Sequence, residues 1–300
     1  MRRIFLSLPR FDRALTVYAS HPLVRVFGMK QSCRIPILMY HSISDNLFGI
    51  SHPYYQINTS PEAFHRQMRW LRKEGYETVD LARAWESLDQ GTDLSKKVVL
   101  TFDDGYRDFY IEALPILKQY GFVATVFLAT DRIRNHSARI EGAEYLTWND
   151  VRELQTVGIR FGSHTVSHAD LRSLDLEQIE FELQYSKETI EQQTGAIVES
   201  FSYPFSFPEE DRSFTRFLED VLLNLGFTYG VSTILGCAQR NKIGFFLPRL
   251  PVNSWDDKLL LRAKIEGGYD WMHWPQFLKK FLLHNGTLPQ RDVKNKVIAA

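Results

Sequence analysis

The hydrophobic positions of this chain follow two alternating rhythms. Short runs dense in β-branched and aromatic residues give way to longer stretches whose apolar positions recur three and four residues apart. That alternation predicts βα units feeding a parallel sheet or barrel. The first run covers residues 36–41. Ser60-Pro61-Glu62 then opens a helix, with Ser60 as N-cap and Pro61 in the first turn, where its missing N–H costs nothing. Phe64, Met68 and Leu71 share one face of that helix, which stops at Gly75. Residues 97–102 read as a buried strand and residues 108–120 as a helix closed by Gly121, with Pro115 placed to kink it. A strand follows over 122–128. Thr147 and Asp150 cap the next helix, which ends at Gly158 before a strand over 159–163. Asp175 and Gln178 cap another that runs to Gly195, and a strand covers 198–203. A helix over 209–225 closed by Gly226 and strands over 228–233 and 245–252 complete the pattern.

About seven strands with interleaved helices predict an α/β fold, a distorted and incompletely closed (β/α)7-type barrel. The pattern thins after Val252. Residues 267–290 carry Trp271, Trp274, Phe277, Phe281 and Leu282 among lysines, which predicts an amphipathic helix covering the barrel bottom, with a membrane-facing or partner-facing role as the alternative. The organisation expected is an extension over 1–34, one domain over 35–266 and a helical extension over 267–300.

Composition narrows the function classes. The chain has 300 residues, 36 basic and 36 acidic, and no basic stripe of the kind that marks a nucleic-acid partner. Cys33 and Cys237 form no CxxC pair, so they give no redox or zinc-ribbon signal and are expected to be free. The basic start of the chain leads into an apolar run that stops at Pro9, shorter than a secretory signal needs. No stretch approaches the roughly 20 apolar residues that span a bilayer. These features point to the cytoplasm, with the membrane face as an option. Residues 1–30 mix arginines with Phe, Leu, Val and Tyr, and either lie on a membrane surface or partner or pack on the domain as a helical extension.

Two strand ends carry the chemistry. Thr101-Phe102-Asp103-Asp104-Gly105-Tyr106 leaves the 97–102 strand, and catalytic groups of parallel α/β folds cluster at such ends. Adjacent carboxylates in a dry site raise each other's pKa unless a cation is present. The alternative is a plain Asp-Asp-Gly turn. Ser163-His164-Thr165-Val166-Ser167-His168 leaves a second strand. Two histidines four apart can converge on one ion, and Asp104 would complete a two-imidazole, one-carboxylate set with positions left for water and substrate.

The TFDDGY string followed by SHTVSHADL closely resembles the polysaccharide deacetylase family (NodB-like, carbohydrate esterase family 4), and the resemblance runs from about Pro36 to Val252. It implies a distorted barrel that removes acetyl groups from amino sugars or, in some branches, from sugar esters. It implies Asp103 as general base and Asp104, His164 and His168 as ligands of a divalent ion, zinc by default, with cobalt, nickel or manganese also accepted by that donor set. Phe201-Ser202-Tyr203-Pro204-Phe205 resembles the family's groove segment, in which the backbone N–H of Phe205 would help hold an oxyanion. Here the chain departs from the pattern. Ser202-Tyr203 stands where the better-known branch has an arginine before the proline, and Arg249 on a late strand could supply that guanidinium. His41, ending Leu38-Met39-Tyr40-His41, looks like the acid of a permuted branch similar to biofilm poly-N-acetylglucosamine deacetylases.

The expected activity is metal-dependent hydrolysis of an N-acetyl group on a sugar, oligosaccharide or lipid-linked glycan. Sugar O-deacetylation, deformylation and a non-catalytic sugar-binding module are the alternatives. Phe48, His52, Tyr54 and Tyr55 are candidates for a sugar-binding rim.

Overall fold

The structure, a computed structural model, describes residues 10–27, 31–45, 56–137, 139–140, 142–240 and 245–287. Seven strands form the barrel: β1 (Ile37–Tyr40), β2 (Lys97–Phe102), β3 (Thr125–Leu128), β4 (Arg160–Ser163), β5 (Ser200–Ser202), β6 (Tyr229–Leu235) and β7 (Phe246–Pro251). Each pairs in parallel with its neighbours in chain order. β1 bonds to β2 on one side, with Tyr40 opposite Phe102, and to β7 on the other, with Leu38 opposite Leu250. The ring therefore closes, where the sequence pattern predicts incomplete closure. The distortion lies in uneven ladders instead: β4 and β5 share the single register pair Ser163–Phe201, whereas β1 and β2 share four.

A closed parallel ring buries both faces of every strand, so its strands read as near-continuous apolar runs rather than alternating ones. In β2 every residue after Lys97 is buried. One face fills the barrel interior and the other packs under the helices α1 (Pro61–Lys73), α2 (Leu81–Gln90), α3 (Leu114–Tyr120), α4 (Trp148–Thr156), α5 (Leu176–Thr194), α6 (Arg212–Asn224) and α7 (Lys258–Ile265).

Local chemistry sets their ends. The Ser60 hydroxyl accepts from the Ala63 N–H, and Thr147 with Asp150 and Asp175 with Gln178 both form the reciprocal boxes expected of them. Gly195 ends α5 with a φ of 67°. Two predicted helices differ in form. The 108–120 segment is not one kinked α-helix: a π-helical turn over Phe109–Ala113 precedes α3. Pro115 lies in the first turn of α3, where its missing N–H breaks no α-helical bond. The 209–225 helix begins later, because Asp211 caps it at the Phe214 N–H.

Near the N-terminus, helical turns over Phe11–Leu15, Thr16–Ser20 and His21–Phe27 lie along the end of α7. Tyr269 donates to Asp12, Trp271 donates to Thr16, and His21 meets Glu266 at 2.8 Å. A last helix, α8 (His273–Thr287), does not cover the barrel bottom as the sequence suggests. The Gln276 side chain bonds Leu235 N–H and Thr233 C=O at the C-terminal end of β6, so α8 sits beside the opposite rim. Cys33 and Cys237 are both free thiols. No helix among the described residues is long and apolar enough to cross a membrane.

Candidate active site

The C-terminal strand ends bring the sequence candidates to one rim. His41 follows β1, Asp103 and Asp104 follow β2, His164 follows β4, Phe205 follows β5, and Arg249 lies on β7 inside the barrel. The backbone there is unusual. Among the described residues, five non-glycine residues have left-handed φ angles: Lys96, Asp104 (73°), Thr165 (67°), His168 (60°) and Phe205 (57°). All but Lys96 belong to this rim. Such conformations cost on the order of 1–3 kcal/mol each and persist only where the surroundings hold them.

Asp103 is sealed from solvent and gripped by a fully buried guanidinium. Arg249 Nη1 and Nη2 donate to its two carboxylate oxygens at 2.8 and 2.7 Å. The fork is itself held on every side, with Nε donating to Ser232 C=O, Nη1 to the Thr101 hydroxyl and Nη2 to the Ser202 hydroxyl. Burial is the largest single influence and would raise the Asp103 pKa, but the Arg249 charge and hydrogen bonds, with His164 and His41, together outweigh it, and the carboxyl is held far below the usual carboxylate range. His41 is half-buried and close enough to act on that charge.

Asp104, His164 and His168 form the second group. One donor atom from each lies within 4.8 Å of the others. His164 Nδ1 sits 2.7 Å from Ser202 C=O, which can only accept, so Nδ1 carries the ring proton and Nε2 presents a lone pair. That Nε2 lies 3.5 Å from Asp104 Oδ1, and His168 Nε2 lies 3.3 Å from the same oxygen. Burial pushes both imidazoles down, His168 to about 4, with the His164 ring adding to the shift at His168, so both are neutral near pH 7. Asp104 Oδ1 is buried and accepts no hydrogen bond. The carboxylate oxygen facing the His164 Nε2 lone pair is a repulsive contact unless a cation sits between them. The donor set of two imidazoles and a carboxylate suits a divalent ion.

Phe205 is more than half exposed, and its ring meets the His168 ring edge-on at 4.5 Å. Its carbonyl accepts from Thr233, while none of the described residues accepts from its N–H. Tyr106, leaving the Asp-Asp-Gly turn, lines a cavity of about 340 Å³ with Asp108, Glu112, Arg139 and Glu144. Phe48, His52, Tyr54 and Tyr55 lie outside the described residues.

Two residues of this centre escape the sequence reading as participants. Ser202 bonds Arg249 through its hydroxyl and His164 through its carbonyl. The signal was there: a small hydroxyl where the better-known branch carries an arginine leaves room for a guanidinium from elsewhere. Glu182, on α5, binds the histidine loop, and nothing local in the helix sequence marks it.

Comparison with known proteins places this chain in a wider group. A model of the polysaccharide deacetylase family matches residues 90–229. YxkH of Bacillus subtilis (strain 168), a protein with a polysaccharide deacetylase name, is 32% identical over 228 residues, 75% of this chain and 73% of that one. The poly-beta-1,6-N-acetyl-D-glucosamine N-deacetylase of Escherichia coli (strain K12) is 32% identical over 138 residues, 43% of this chain and 20% of that protein. Among solved structures, the Streptococcus pyogenes deacetylase PplD in complex with acetate superposes with a TM-score of 0.65 at 26% identity, covering 77% of this chain and 98% of that one.

Proposed function

The chain belongs to the polysaccharide deacetylase family, and from that premise we propose that it hydrolyses the acetamide of an N-acetylated sugar, in an oligosaccharide, polysaccharide or lipid-linked glycan, with a divalent ion, by default zinc, held by Asp104, His164 and His168. The observation that carries this reading is the juxtaposition of an ionised, guanidinium-gripped carboxylate with three converging donors at strand ends of one rim. The deacetylases among its relatives, one named for poly-N-acetylglucosamine and one bound to acetate, support the same chemistry.

Bound there, a divalent ion would polarise the acetyl carbonyl and acidify the attacking water. Asp103 receives the proton of that water. Arg249 keeps Asp103 charged throughout the working pH range, at the cost of making it a weak base. Its planar grip also fixes the carboxylate plane, so one oxygen edge is aimed at the water on every turnover. The Phe205 N–H, presented by a left-handed backbone, donates to the developing oxyanion. His41 protonates the departing nitrogen, because an amide leaves as an amine and not as its anion. The polar cavity beside Tyr106 suits the hydroxyls of a sugar ring. Phe11, Tyr18, Val26 and Phe27 are largely exposed, and they support peripheral contact with a membrane face, where lipid-linked glycans are found.

Acetate release from N-acetylglucosamine oligomers by zinc-loaded protein tests the reading. Wild type should release acetate, and Asp104→Ala and His41→Ala should lose nearly all of that release. Release that persists in Asp104→Ala would refute the assignment of the ion site. No release by a zinc-loaded wild type from any N-acetylated glycan would refute amide hydrolysis.

A further inference from the structure

The two histidines of the ion site are held in different ways. His164 is aimed by its own ring: the Nδ1–H bond to Ser202 C=O fixes both tautomer and rotation. His168 has no such partner among the described residues. Its ring meets the rings of His164 and Phe205 edge-on, and its Nε2 faces Asp104. The direction in which His168 points therefore comes from its backbone, which is left-handed both at His168 and at Thr165. A β-branched residue and a histidine do not hold such angles without support.

The support comes from α5. Glu182 is buried, and one carboxylate oxygen accepts from both the Val166 N–H at 2.8 Å and the Ser167 N–H at 2.9 Å. The other accepts from the Ser167 hydroxyl at 2.7 Å. One turn further along α5, Ser186 meets Ser163 at the start of the loop. From the opposite side, the Thr130 and Asp131 N–H groups donate to Thr165 and Val166 C=O. The peptides between the two histidines are thus gripped by their carbonyls on one side and by their N–H groups on the other, and the second grip is a single carboxylate. A buried carboxylate accepting three hydrogen bonds, two from consecutive peptides, defines the path of those peptides more tightly than neutral acceptors would.

We propose that Glu182 is a positioning residue for the ion site: by clamping Val166 and Ser167 it sets the left-handed turn that delivers His168 Nε2 to Asp104. The proposal rests on the reading that Asp104, His164 and His168 hold a divalent ion. It assigns Glu182 no contact with substrate or ion.

Cobalt(II) binding to the 300-residue chain tests it, read by calorimetry and by visible absorption, with thermal melts of the metal-free forms alongside. Glu182→Ala should weaken cobalt binding by roughly 10–100-fold, the usual cost of removing a group that orients a ligand. Glu182→Gln keeps the shape but only one acceptor oxygen, which can still take the Val166 and Ser167 N–H groups as neutral bonds while its amide NH2 faces the Ser167 hydroxyl, and it should weaken binding several-fold. In a His168→Ala background the same Glu182 changes should have almost no further effect, because the histidine they position is gone. Full additivity in that background would make Glu182 a general structural residue and overturn the proposal. So would wild-type affinity in Glu182→Ala or, if that variant does not fold, in Glu182→Gln. Failure of wild type itself to take up cobalt, or undiminished uptake by Asp104→Ala, would overturn the ion site and the role of Glu182 together. Failure of the Glu182 predictions alone, with wild type taking up cobalt and Asp104→Ala losing it, would sink the positioning role and leave the ion site standing.

Discussion

Among the described residues, two aspartates are sealed from solvent, each against one buried cation. Asp103 faces Arg249, and Asp256 faces Lys264. Burial costs each ion several kcal/mol of lost hydration, so both pairs need close geometry to survive. They achieve it differently. Lys264 spends all three ammonium protons, two on Asp256 and one on Pro251 C=O. Asp256 also caps the Asn253 N–H. That pair is closed: it ties α7 to the segment after β7 and has little left to offer. Arg249 is equally saturated, with five donor contacts. Asp103 is not. Beyond the fork, the one hydrogen bond to its oxygens from the described residues comes from the Ser202 hydroxyl at 3.4 Å, whose single proton can serve only one of them. A charged, immobilised acceptor with an unused lone pair is what a proton-transfer step requires. What separates the two pairs is the closeness of the third bond, 2.9 Å from the Asn253 N–H to Asp256 but only 3.4 Å from the Ser202 hydroxyl to Asp103, and in the proposed mechanism that leaves Asp103 the freer acceptor.

The sharpest way to break this comparison is to remove the two cations in turn. Arg249→Ala should lower turnover by roughly 10²–10⁴-fold, the usual range for a lost or misplaced general base. It should also destabilise the fold by roughly 3–5 kcal/mol, since Asp103 is left buried and unpaired. The ion site should stay intact, because Arg249 touches none of its three residues. Acetate release, a denaturant melt and metal analysis of one preparation check all three. Turnover near wild type would show that Asp103 does not act as the base. Lys264→Met should be as destabilising, again roughly 3–5 kcal/mol, because it leaves Asp256 unpaired. Its turnover per folded molecule should stay within about twofold of wild type, since Asp256 is tied up in three close bonds and is not one of the residues assigned to the reaction. A large fall in turnover at unchanged substrate saturation would erase the distinction drawn above.

The comparison also shows what could be read from the chain alone. The barrel was legible because strands buried on both faces leave an unmistakable record: in β2 and β3 nearly every position is apolar or small. Helix caps were legible because they are local, as at Thr147 with Asp150. The positions of the rim residues were legible because chemistry sits at strand ends, and Arg249 drew notice because the usual arginine was missing before Pro204. Ring closure was not legible, since it depends on a ladder between β1 and β7, some two hundred residues apart. The Lys264–Asp256 pair and the Glu182 clamp were invisible for a related reason. Each is a contact between a helix and a distant or folded-back loop, and a lysine or glutamate on a helix looks the same in sequence whether it faces water or a buried partner. The placement of α8 failed similarly: its apolar stripe says that it packs, not on which rim.

A smaller test separates the grip of Arg249 from its charge. Arg249→Lys keeps a cation but cannot form the planar fork or reach Ser232, Thr101 and Ser202 at once. If Asp103 needs only a counter-charge, turnover should be close to wild type. If fixing the carboxylate plane matters, turnover should fall on the order of 10-fold or more, with a smaller loss of stability than Arg249→Ala suffers. A lysine variant as active as wild type would reduce Arg249 to an electrostatic partner.

The smallest effect is expected at a third carboxylate, which is paired but lies nearer the surface. Glu209 accepts from His273 and from Lys280, and so pins α8 beside the rim. Burial pushes its pKa up, but those two partners pull harder, and it lies below the ordinary glutamate value. The sign follows: the unfolded chain protonates first, so the pair's stabilisation is complete above the ordinary value of about 4.3 and is lost as pH falls through the lower folded value. At this partly screened site the pair is worth no more than about 1 kcal/mol. Hydrogen exchange in α8 should therefore be flat from pH 7 to 5 and accelerate below about pH 4, after correction for the intrinsic rate. Glu209→Gln should loosen α8 slightly at neutral pH and remove that acid step, with the barrel's melting temperature almost unmoved. An acid step that survives in Glu209→Gln would place the titrating group elsewhere. A loss as large as that in Lys264→Met would mean that partial exposure does not weaken a buried pair as argued here.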